Sequence, residues 1–377
     1  MRPVAIYLPQ FHPIPENDAW WQPGFTEWTN VTKARALFRN HYQPHLPSNL
    51  GFYDLRVSEV REQQAQLAKE HGIYGFCYYH YWFNGQRLLE RPFTEVLESS
   101  KPDFPFMLFW ANETWSRTWL GMKTDILIKQ TYSTEDDYRH AEYLVKVFKD
   151  KRYITIDGRP VFIIYRPLDF PDVTSTINIL RSVCQRENIN PYLVVSNSHL
   201  PEIYDYDVLS GFDAILNFRP QLGALPDAFN DRFLWRRLKR NFFKRGVLNG
   251  KLKLYHYKEA LELMQKFEPE TFQGMMPSVF VGWDNTPRRN EKGIIVYGND
   301  ASLFKEELKR VKTKIINGRH TSDIILINAW NEWAEGNHLE PDLRNNTDFL
   351  KAIQEVFKNE KSVKRNSHIS APVSSYS

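Results

Sequence analysis

The sequence has very little cysteine and no long apolar run. Its 377 residues include only two cysteines, Cys77 and Cys184, which lie far apart in apolar segments. We therefore expect buried thiols rather than a disulfide framework or a metal site. No stretch approaches the roughly 18 apolar residues that cross a bilayer. The run Val4–Leu8 is too short for a secretory signal, and no small-residue cleavage site follows it. These absences predict a cytoplasmic protein.

Phosphate-binding glycine motifs are absent as well. No Gly-x-Gly-x-x-Gly follows an apolar run and no Gly-Lys-Ser is present, which argues against a nucleotide-binding fold. The formal charge of +4 is too mild to indicate nucleic acid as a partner. We therefore predict neither a cofactor nor a nucleic-acid partner.

Aromatic residues, by contrast, are abundant, with 11 Trp, 19 Tyr and 25 Phe. Many tryptophans and tyrosines stand beside polar residues at the ends of apolar runs. Aromatic faces stack on the apolar C–H faces of sugar rings, while neighbouring amides and carboxylates bind hydroxyls. An aromatic core accounts for part of the total, but the clustering at the ends of the runs favours a carbohydrate-binding protein.

Eight short, almost continuously apolar runs are typical of parallel strands buried on both faces. They are Val4–Leu8, Gly75–Tyr79, Phe106–Trp110, Val161–Tyr165, Leu193–Ser196, Ala214–Asn217, Ser278–Val281 and Ile324–Ile327. Segments with helical spacing lie between most of them, and Ser133 or Thr134 is a candidate N-cap. This alternation predicts a barrel or a doubly wound sheet. Polar residues at nearly every strand exit favour the barrel.

We predict one α/β domain, a (β/α)8 TIM barrel, over residues 1–360. Insertions at 12–52 and 226–268 are expected at the carboxyl-terminal face of the barrel, the first as a folded loop over the mouth and the second as a helical excursion. Residues 361–377 are polar and rich in serine, and we expect them to form a disordered tail.

Candidate sugar-binding residues follow from this fold, because catalytic and binding groups of such barrels lie at the carboxyl ends of the strands. The predicted substrate-binding residues are Tyr7, Gln10, His12, Tyr79, His80, Trp82, Trp110, Asn112, Glu113, Asn197, Arg219, Trp283, Asp284, Trp330, Asn331 and Trp333. Some of them are expected only to satisfy backbone groups.

Glu332 and Glu335, after the last strand, are the predicted catalytic pair. If the chain turns helically there, both carboxylates project from one face, with Cβ atoms roughly 5–6 Å apart. Glycoside chemistry needs one carboxyl that is protonated and one that is ionised, and carboxyl groups about 5–5.5 Å apart favour retention of configuration. The structural alternative is a helix cap or an ion pair with Arg166, Arg219 or Arg344. The flanking tryptophans and asparagine favour catalysis.

Histidines at 41 and 45, together with His12 and His80, raise the question of zinc. A metal site needs three converging ligands, usually with supporting partners. These four histidines are spread over a Pro-rich loop and strand exits. We therefore expect hydroxyl-binding or structural roles, and no metal.

The run Phe229–Arg245 is basic, with interleaved aromatic and leucine residues. Two interpretations stay open. It is either an amphipathic helix on an anionic membrane surface, giving peripheral contact with the inner membrane, or a solvated helix that packs its apolar side on the barrel.

Three segments carry a resemblance to a known family, namely Ala5–Pro13, Gly75–Phe83 and Ala329–Gly336 with Glu340-Pro341. They resemble the WbsX-like family, which is assigned to glycosyl transfer in bacterial cell-surface polysaccharide clusters, including those for O-antigen lipopolysaccharide. That family is related to glycoside hydrolase family 99, the retaining enzymes that cleave α-mannan internally. The resemblance implies an oligosaccharide or lipid-linked glycan as substrate.

The resemblance also implies a mechanism in which the 2-hydroxyl of the sugar participates. By position, Glu332 is the base towards that hydroxyl and Glu335 is the general acid and base. Ala334 stands where the related hydrolases often carry histidine, so hydrolysis and transfer both remain open. The alternative is a non-catalytic glycan-binding barrel that retains the stacking aromatics.

Overall fold

The computed structural model describes residues 1–117, 125–198, 210–225, 252–266, 268, 274–318 and 322–357. Eight parallel strands form the central sheet. They are β1 Arg2–Tyr7, β2 Gly75–Phe83, β3 Phe106–Trp110, β4 Arg159–Ile164, β5 Tyr192–Ser196, β6 Ala214–Asn217, β7 Met275–Phe280 and β8 Ile324–Asn328. Each predicted strand is present, with ends that differ by a few residues.

The sheet closes on itself, which distinguishes a barrel from a doubly wound sheet. Strand β1 pairs in parallel with β8, as in Ala5 opposite Ile327, and with β2, as in Ile6 opposite Cys77. The remaining neighbours follow chain order around the ring. The predicted (β/α)8 barrel is therefore confirmed. Its strands are buried along almost their whole length, because helices cover the outer face and side chains fill the interior.

The helices include longer amphipathic ones that cover the barrel and short ones that lie within its loops. They are α1 Pro15–Trp20, α2 Glu27–Thr32, α3 Ser58–Glu70, α4 Arg91–Ser99, α5 Thr134–Phe148, α6 Val173–Arg186, α7 Tyr257–Gln265, α8 Thr286–Arg289, α9 Ala301–Ile316 and α10 Asp348–Phe357. Ser133 caps α5 by accepting a hydrogen bond from the backbone N–H of Asp136, as its side-chain chemistry predicts. The apolar stripe of α5, including Leu144 and Phe148, is buried.

Shorter strands lie in the connections between these elements. They are Gln86–Leu88, Trp115–Ser116, Ile126–Ile128, Thr155–Ile156, Lys253–His256, Trp283–Asp284, Ile294–Tyr297, Asn331–Glu332 and Asn337–His338. The insertion 12–52 contains α1 and α2. Of the insertion 226–268, the structure describes the strand Lys253–His256, which pairs with Ile294–Tyr297, and α7.

Some predicted features fall outside the described residues, namely the basic run 229–245 and the tail 361–377. In the part of the chain that is described, no helix is both long and apolar enough to span a bilayer. Cys77 and Cys184 are buried free thiols, as expected.

Candidate active site

A tight hairpin follows β8 and carries the two predicted catalytic residues. Strand Asn331–Glu332 pairs antiparallel with Asn337–His338, and one 3₁₀ turn, Trp333–Glu335, joins them. Glu332 immediately precedes this turn and Glu335 ends it, and their carboxylates face the same side because both contact Arg288. Gly336 closes the turn with a φ of 58°, and a Cβ there would lie 3.0 Å from the Cβ of Asp284. Glycine is needed because of both the left-handed conformation and this close approach.

Arg288 in α8 contacts both of the predicted catalytic carboxylates. Its Nη1 lies 2.6 Å from Oε1 of Glu335, and its Nη2 lies 3.5 Å from Oε2 of Glu332. The same guanidinium donates from Nη2 to Oε2 of Glu27 in α2 at 2.8 Å. Glu27 is fully buried and also accepts a hydrogen bond from Asn30. We call Glu27, Arg288, Glu332 and Glu335 the carboxylate cluster.

Burial raises the pKa values of Glu332 and Glu335 in the carboxylate cluster. Burial, and then the neighbouring charge of Glu335, raise the pKa of Glu332 to about 8, against the opposing effect of Arg288. Burial also raises the pKa of Glu335, and Arg288 again opposes it. Two carboxylates that share one cation in a desolvated site do not both ionise readily. The shorter contact of Glu335 with Arg288 favours the ionised form on Glu335 and the proton on Glu332.

Tyrosines surround the pair on the inner side of the barrel. Tyr79 and Tyr81 are close enough to Glu332 that its charge, after burial, contributes to raising their pKa values. The Nε2 of Gln10 donates to the hydroxyl of Tyr81 at 3.3 Å. The pKa of Tyr165 is raised by burial and then mainly by Glu113, with a smaller contribution from Glu335. Of the predicted sugar-binding residues, Gln10 and Tyr79 are therefore near the carboxylates.

Glu113 is a peripheral member of this neighbourhood. It forms an ion pair with Arg166 at 2.9 Å, and its charge contributes to the raised pKa of Glu335. Asn112 is buried and binds the backbone of Arg166 in both directions, since its Oδ1 accepts from the N–H and its Nδ2 donates to the carbonyl. Asn112 therefore fixes the exit of β3 and positions Glu113.

Buried hydrogen bonds hold the hairpin in place. The side chain of Asn331 binds both backbone groups of Leu8, at 2.7 Å to the N–H and 3.0 Å to the carbonyl. Glu340 accepts from Trp333 Nε1 and Gln64 Nε2, each at 2.6 Å, and from the hydroxyl of Tyr53 at 2.7 Å. Burial raises the pKa of Glu340 to about 7. Asn331 and Trp333 are both almost completely buried, so the structure gives them positioning roles.

Asp284 anchors the insertion 12–52 on the hairpin. It accepts hydrogen bonds from Gln43 Nε2 at 2.8 Å and from the hydroxyl of Thr286 at 2.6 Å, and its Oδ2 lies 2.7 Å from His41 Nε2. The adjacent Trp283 packs on an outer apolar cluster. Asp284 thus lies beside the hairpin and is engaged by protein groups.

Several predicted sugar-binding residues need correction, because they face the outer helices. Trp82 donates to Asp136 in α5 at 3.0 Å, and His80 lies 3.0 Å from His140, with both distances measured between side-chain atoms. Trp110 packs edge-on against the same His140. Since side chains alternate along a strand, His80 and Trp82 point away from Tyr79 and Tyr81. We call His80, Trp82, Trp110, Asp136 and His140 the histidine–tryptophan cluster.

Four other predicted residues also lie away from the carboxylates or are held by the fold. The hydroxyl of Tyr7 donates to Gln64 in α3, and the buried Trp330 packs on Phe76. Asn197 accepts from the backbone N–H of Phe218. The guanidinium of Arg219 lies 3.6 Å from Glu268.

His12 is buried, and burial lowers its pKa to about 4, with Asp54 opposing this shift. The structure thus leaves His12 neutral at physiological pH.

The sequence suggested Arg166, Arg219 or Arg344 as an ion-pair partner of Glu332 and Glu335. In the structure the partner of both is Arg288.

Sequence reasoning missed two residues of this site, namely Arg288 and Tyr81, and Glu27 was only a weaker candidate among the carboxylates. Tyr81 had a usable signal, because it shares the strand face of Tyr79 two residues earlier. Glu27 and Arg288 lie on short helices inside loops, and their meeting with Glu335 depends on tertiary packing.

Comparison with known proteins gives matches that extend over nearly the whole chain. A family described as glycosyltransferase WbsX matches residues 3–353. Two proteins of Xanthomonas campestris pv. campestris, both named "Uncharacterized protein WxcX", are 37% identical over 367 residues and 38% identical over 356 residues. Each match covers 94% of this chain and 49% of the relative. The chain therefore spans about half the length of these relatives.

Solved structures show the same architecture. A glycoside hydrolase-like protein is 15% identical with a TM-score of 0.56, covering 94% of this chain and 93% of its own. The GH99 endo-alpha-mannosidase from Bacteroides thetaiotaomicron is 13% identical with a TM-score of 0.55, covering 97% and 98% of the two chains. At such identities the likeness concerns the fold alone.

Proposed function

This chain belongs to the WbsX glycosyltransferase family, and we propose that it is a retaining glycosyl-transfer enzyme that acts in the assembly of a bacterial cell-surface polysaccharide such as O-antigen. The substrate class is an oligosaccharide or a lipid-linked glycan. Membership of the family supports a carbohydrate-active enzyme. The assignment of the WbsX-like family to clusters for cell-surface polysaccharide supports the biosynthetic setting.

One observation carries the chemical part of this proposal. Glu332 and Glu335 lie on one hairpin, share the cation Arg288 and have raised pKa values. Carboxyl groups with such pKa values serve as general acids and bases near neutral pH. Arginines can instead lower the pKa of a buried carboxyl, as Arg310 and Arg219 do for Glu268, where their effect outweighs the opposing effect of burial.

The roles follow the resemblance to family 99. Glu332 takes the proton of the sugar 2-hydroxyl, whose oxygen attacks the anomeric carbon, and the glycosidic bond breaks as Glu335 protonates the leaving oxygen. In the second step Glu335 deprotonates the acceptor, the acceptor oxygen opens the anhydro ring, and Glu332 returns its proton to the 2-oxygen. Two inversions give net retention. Because the unliganded site favours the proton on Glu332, substrate binding has to redistribute it.

Incubation with α-linked oligosaccharides and lipid-linked repeat units, followed by mass analysis of products, tests this proposal. We expect product with the wild-type chain and none with Glu335→Gln. In water enriched in ¹⁸O, label in the product identifies hydrolysis, and unlabelled, elongated product identifies transfer. If the wild type and Glu335→Gln bind sugar equally and neither forms product from any substrate, the result supports the glycan-binding alternative and contradicts the proposal of an enzyme.

Activated glycosides separate the two carboxyl roles. A good leaving group needs little protonation, so we expect Glu335→Gln to regain its first step on an aryl glycoside while Glu332→Gln stays inactive. The reverse pattern contradicts the assignment.

The location of the protein is a separate part of the proposal. We propose a cytoplasmic enzyme that touches the inner membrane through residues 229–245, on the basis of the sequence pattern. Co-sedimentation with anionic liposomes should be lost in an Arg236/Arg237/Arg240→Glu variant. Equal sedimentation of both proteins contradicts membrane contact.

A further inference from the structure

A second group of side chains lies at strand Asn337–His338, the second strand of the hairpin. Nδ1 of His45, in the insertion 12–52, lies 2.8 Å from Nε2 of His338, in strand Asn337–His338. Oδ2 of Asp342 lies 3.8 Å from the same Nε2. One atom from each of His45, His338 and Asp342 falls within 4.8 Å of the others. We propose that these three residues form a site for a divalent transition-metal ion, with Zn²⁺ as the fitting ion.

The orientation of His338 supports this proposal. Its Nδ1 lies 2.9 Å from the backbone carbonyl of Glu340, an acceptor that fixes the proton on Nδ1. Nε2 therefore carries a lone pair, and it points at His45. Metal-binding histidines usually donate their second N–H to a carbonyl or carboxylate in this way. Without an ion, the proton of His45 Nδ1 occupies the gap; with an ion, that proton moves to the other ring nitrogen.

Hydrogen bonds also fix the carboxylate of Asp342. Oδ1 of Asp342 accepts from the backbone N–H groups of Arg344 and Asn345, and its Oδ2 accepts from the side chain of Asn345 at 3.0 Å. Asp342 is 1% exposed and His338 is 5% exposed. The fold therefore holds both ligand groups in fixed, buried positions.

The donor set selects the kind of ion. Two imidazoles and one carboxylate suit Zn²⁺, which binds nitrogen at about 2.0–2.1 Å and oxygen at about 2.0–2.2 Å and keeps a fourth position for water. Mg²⁺ and Ca²⁺ prefer oxygen ligands only. Tetrahedral Zn²⁺ with bonds of about 2.0–2.1 Å separates two ligand nitrogens by roughly 3.3–3.4 Å. The 2.8 Å between the nitrogens of His45 and His338 therefore widens by about 0.5 Å when an ion replaces the shared proton, and a small shift of Asp342 completes the set.

The site has a clear structural consequence. His338 is paired with Asn331 across the hairpin, and its ring stacks on Trp333 with centroids 3.8 Å apart. His45 packs near Gly336. A bound ion therefore fastens the insertion 12–52 to the element that carries Glu332 and Glu335. The inference goes beyond the proposed enzyme function and does not depend on it.

Zn²⁺ alone is the probe for this site. The full chain is stripped with a chelator and titrated against a zinc-binding dye, and its Tm is measured with and without the ion. We expect one site in the wild type and a rise in Tm of roughly 3–6 °C at about one hundred times the Kd. Co²⁺ should give visible absorption from a nitrogen–oxygen site.

Two variants and one control define the expected loss. His45→Phe keeps the ring that stacks on Tyr42 but removes the ligand nitrogen, and Asp342→Asn removes the charge. Both should lower Zn²⁺ affinity at least tenfold, while each retains its Tm in the absence of metal within a few degrees. His71→Phe, whose ring lies at the end of α3, should bind as the wild type does.

Equal Zn²⁺ affinity in the wild type, His45→Phe and Asp342→Asn overturns the proposal and leaves a His45–His338 hydrogen bond only. If either variant fails to fold, the Co²⁺ spectrum of the wild type decides. Absence of a visible band then contradicts the site.

Discussion

The carboxylate cluster and the histidine–tryptophan cluster lie on opposite sides of strand β2, yet they differ in how their charges are balanced. Tyr79 and Tyr81 of β2 lie near Glu332 of the carboxylate cluster, whereas His80 and Trp82 belong to the histidine–tryptophan cluster. In the histidine–tryptophan cluster, burial lowers the pKa of His80 to about 3, and Trp82 donates to Asp136. In the carboxylate cluster, Arg288 contacts three carboxylates. A carboxylate that has its own cation, as Asp136 has Arg139, stabilises a fold, whereas buried carboxylates that share one cation are available for proton transfer.

The strongest test of this comparison removes one carboxylate from each cluster. Glu335→Gln or Glu332→Gln should reduce turnover by roughly 10²–10⁴-fold with little loss of Tm, since each loses a proton-transfer group and keeps its shape. Asp136→Asn, the matched change in the histidine–tryptophan cluster, should leave turnover unchanged. Steady-state kinetics on a confirmed substrate measure this. Full turnover of either Glu variant contradicts the catalytic assignment.

Removing the shared cation should shift the pH dependence of the reaction. Arg288 lowers the pKa values of both Glu332 and Glu335 against the larger effect of burial. Arg288→Met should therefore move the profile of kcat/KM to higher pH by roughly 1–3 units. Arg289→Met, at the next position of α8, is the control and should leave the profile in place. An unmoved profile in Arg288→Met shows that the cation does not tune the pair.

The raised pKa of Glu332 also predicts how stability depends on pH. Burial and Glu335 raise it from the ordinary value of 4.5 to about 8, so the folded state keeps a proton that the unfolded state releases. Stability should then fall as pH rises from about 4.5 to about 8. Thermal unfolding in this range should show a steeper decline for the wild type than for Glu332→Gln. Parallel curves for the two proteins argue against a protonated Glu332.

The smallest expected effect on activity comes from the histidine–tryptophan cluster. Trp82→Phe removes the N–H that donates to the buried Asp136, at a cost of about 1–3 kcal/mol in the free energy of unfolding. Turnover should be unchanged, because the side chain faces α5. Denaturant unfolding and kinetics on the same preparation check both expectations. A large loss of turnover with normal stability places Trp82 in the active site after all.

Pattern and chemistry in the sequence were enough to predict the eight strands, the closed barrel and the position of Glu332 and Glu335 after the last strand, whereas the hairpin that carries them was expected to be a helical turn. Apolar runs separated by amphipathic helices are local features, and the fold keeps them. Ser133 was likewise predictable as a cap of α5, because capping depends on a side chain and a backbone group three residues away.

The partners of those residues were not predictable in the same way. A strand buried on both faces has no polar face to mark its inside, so Tyr7, His80, Trp82 and Trp110 looked like sugar-binding residues until their contacts placed them against helices. Glu27 and Arg288 come from different loops, and only packing brings them to Glu335. The sequence by itself determined the barrel and the position of the carboxylate pair along the chain. The tertiary structure decided which cation the pair shares, because burial and contacts between distant parts of the chain set the charge of the two carboxyl groups.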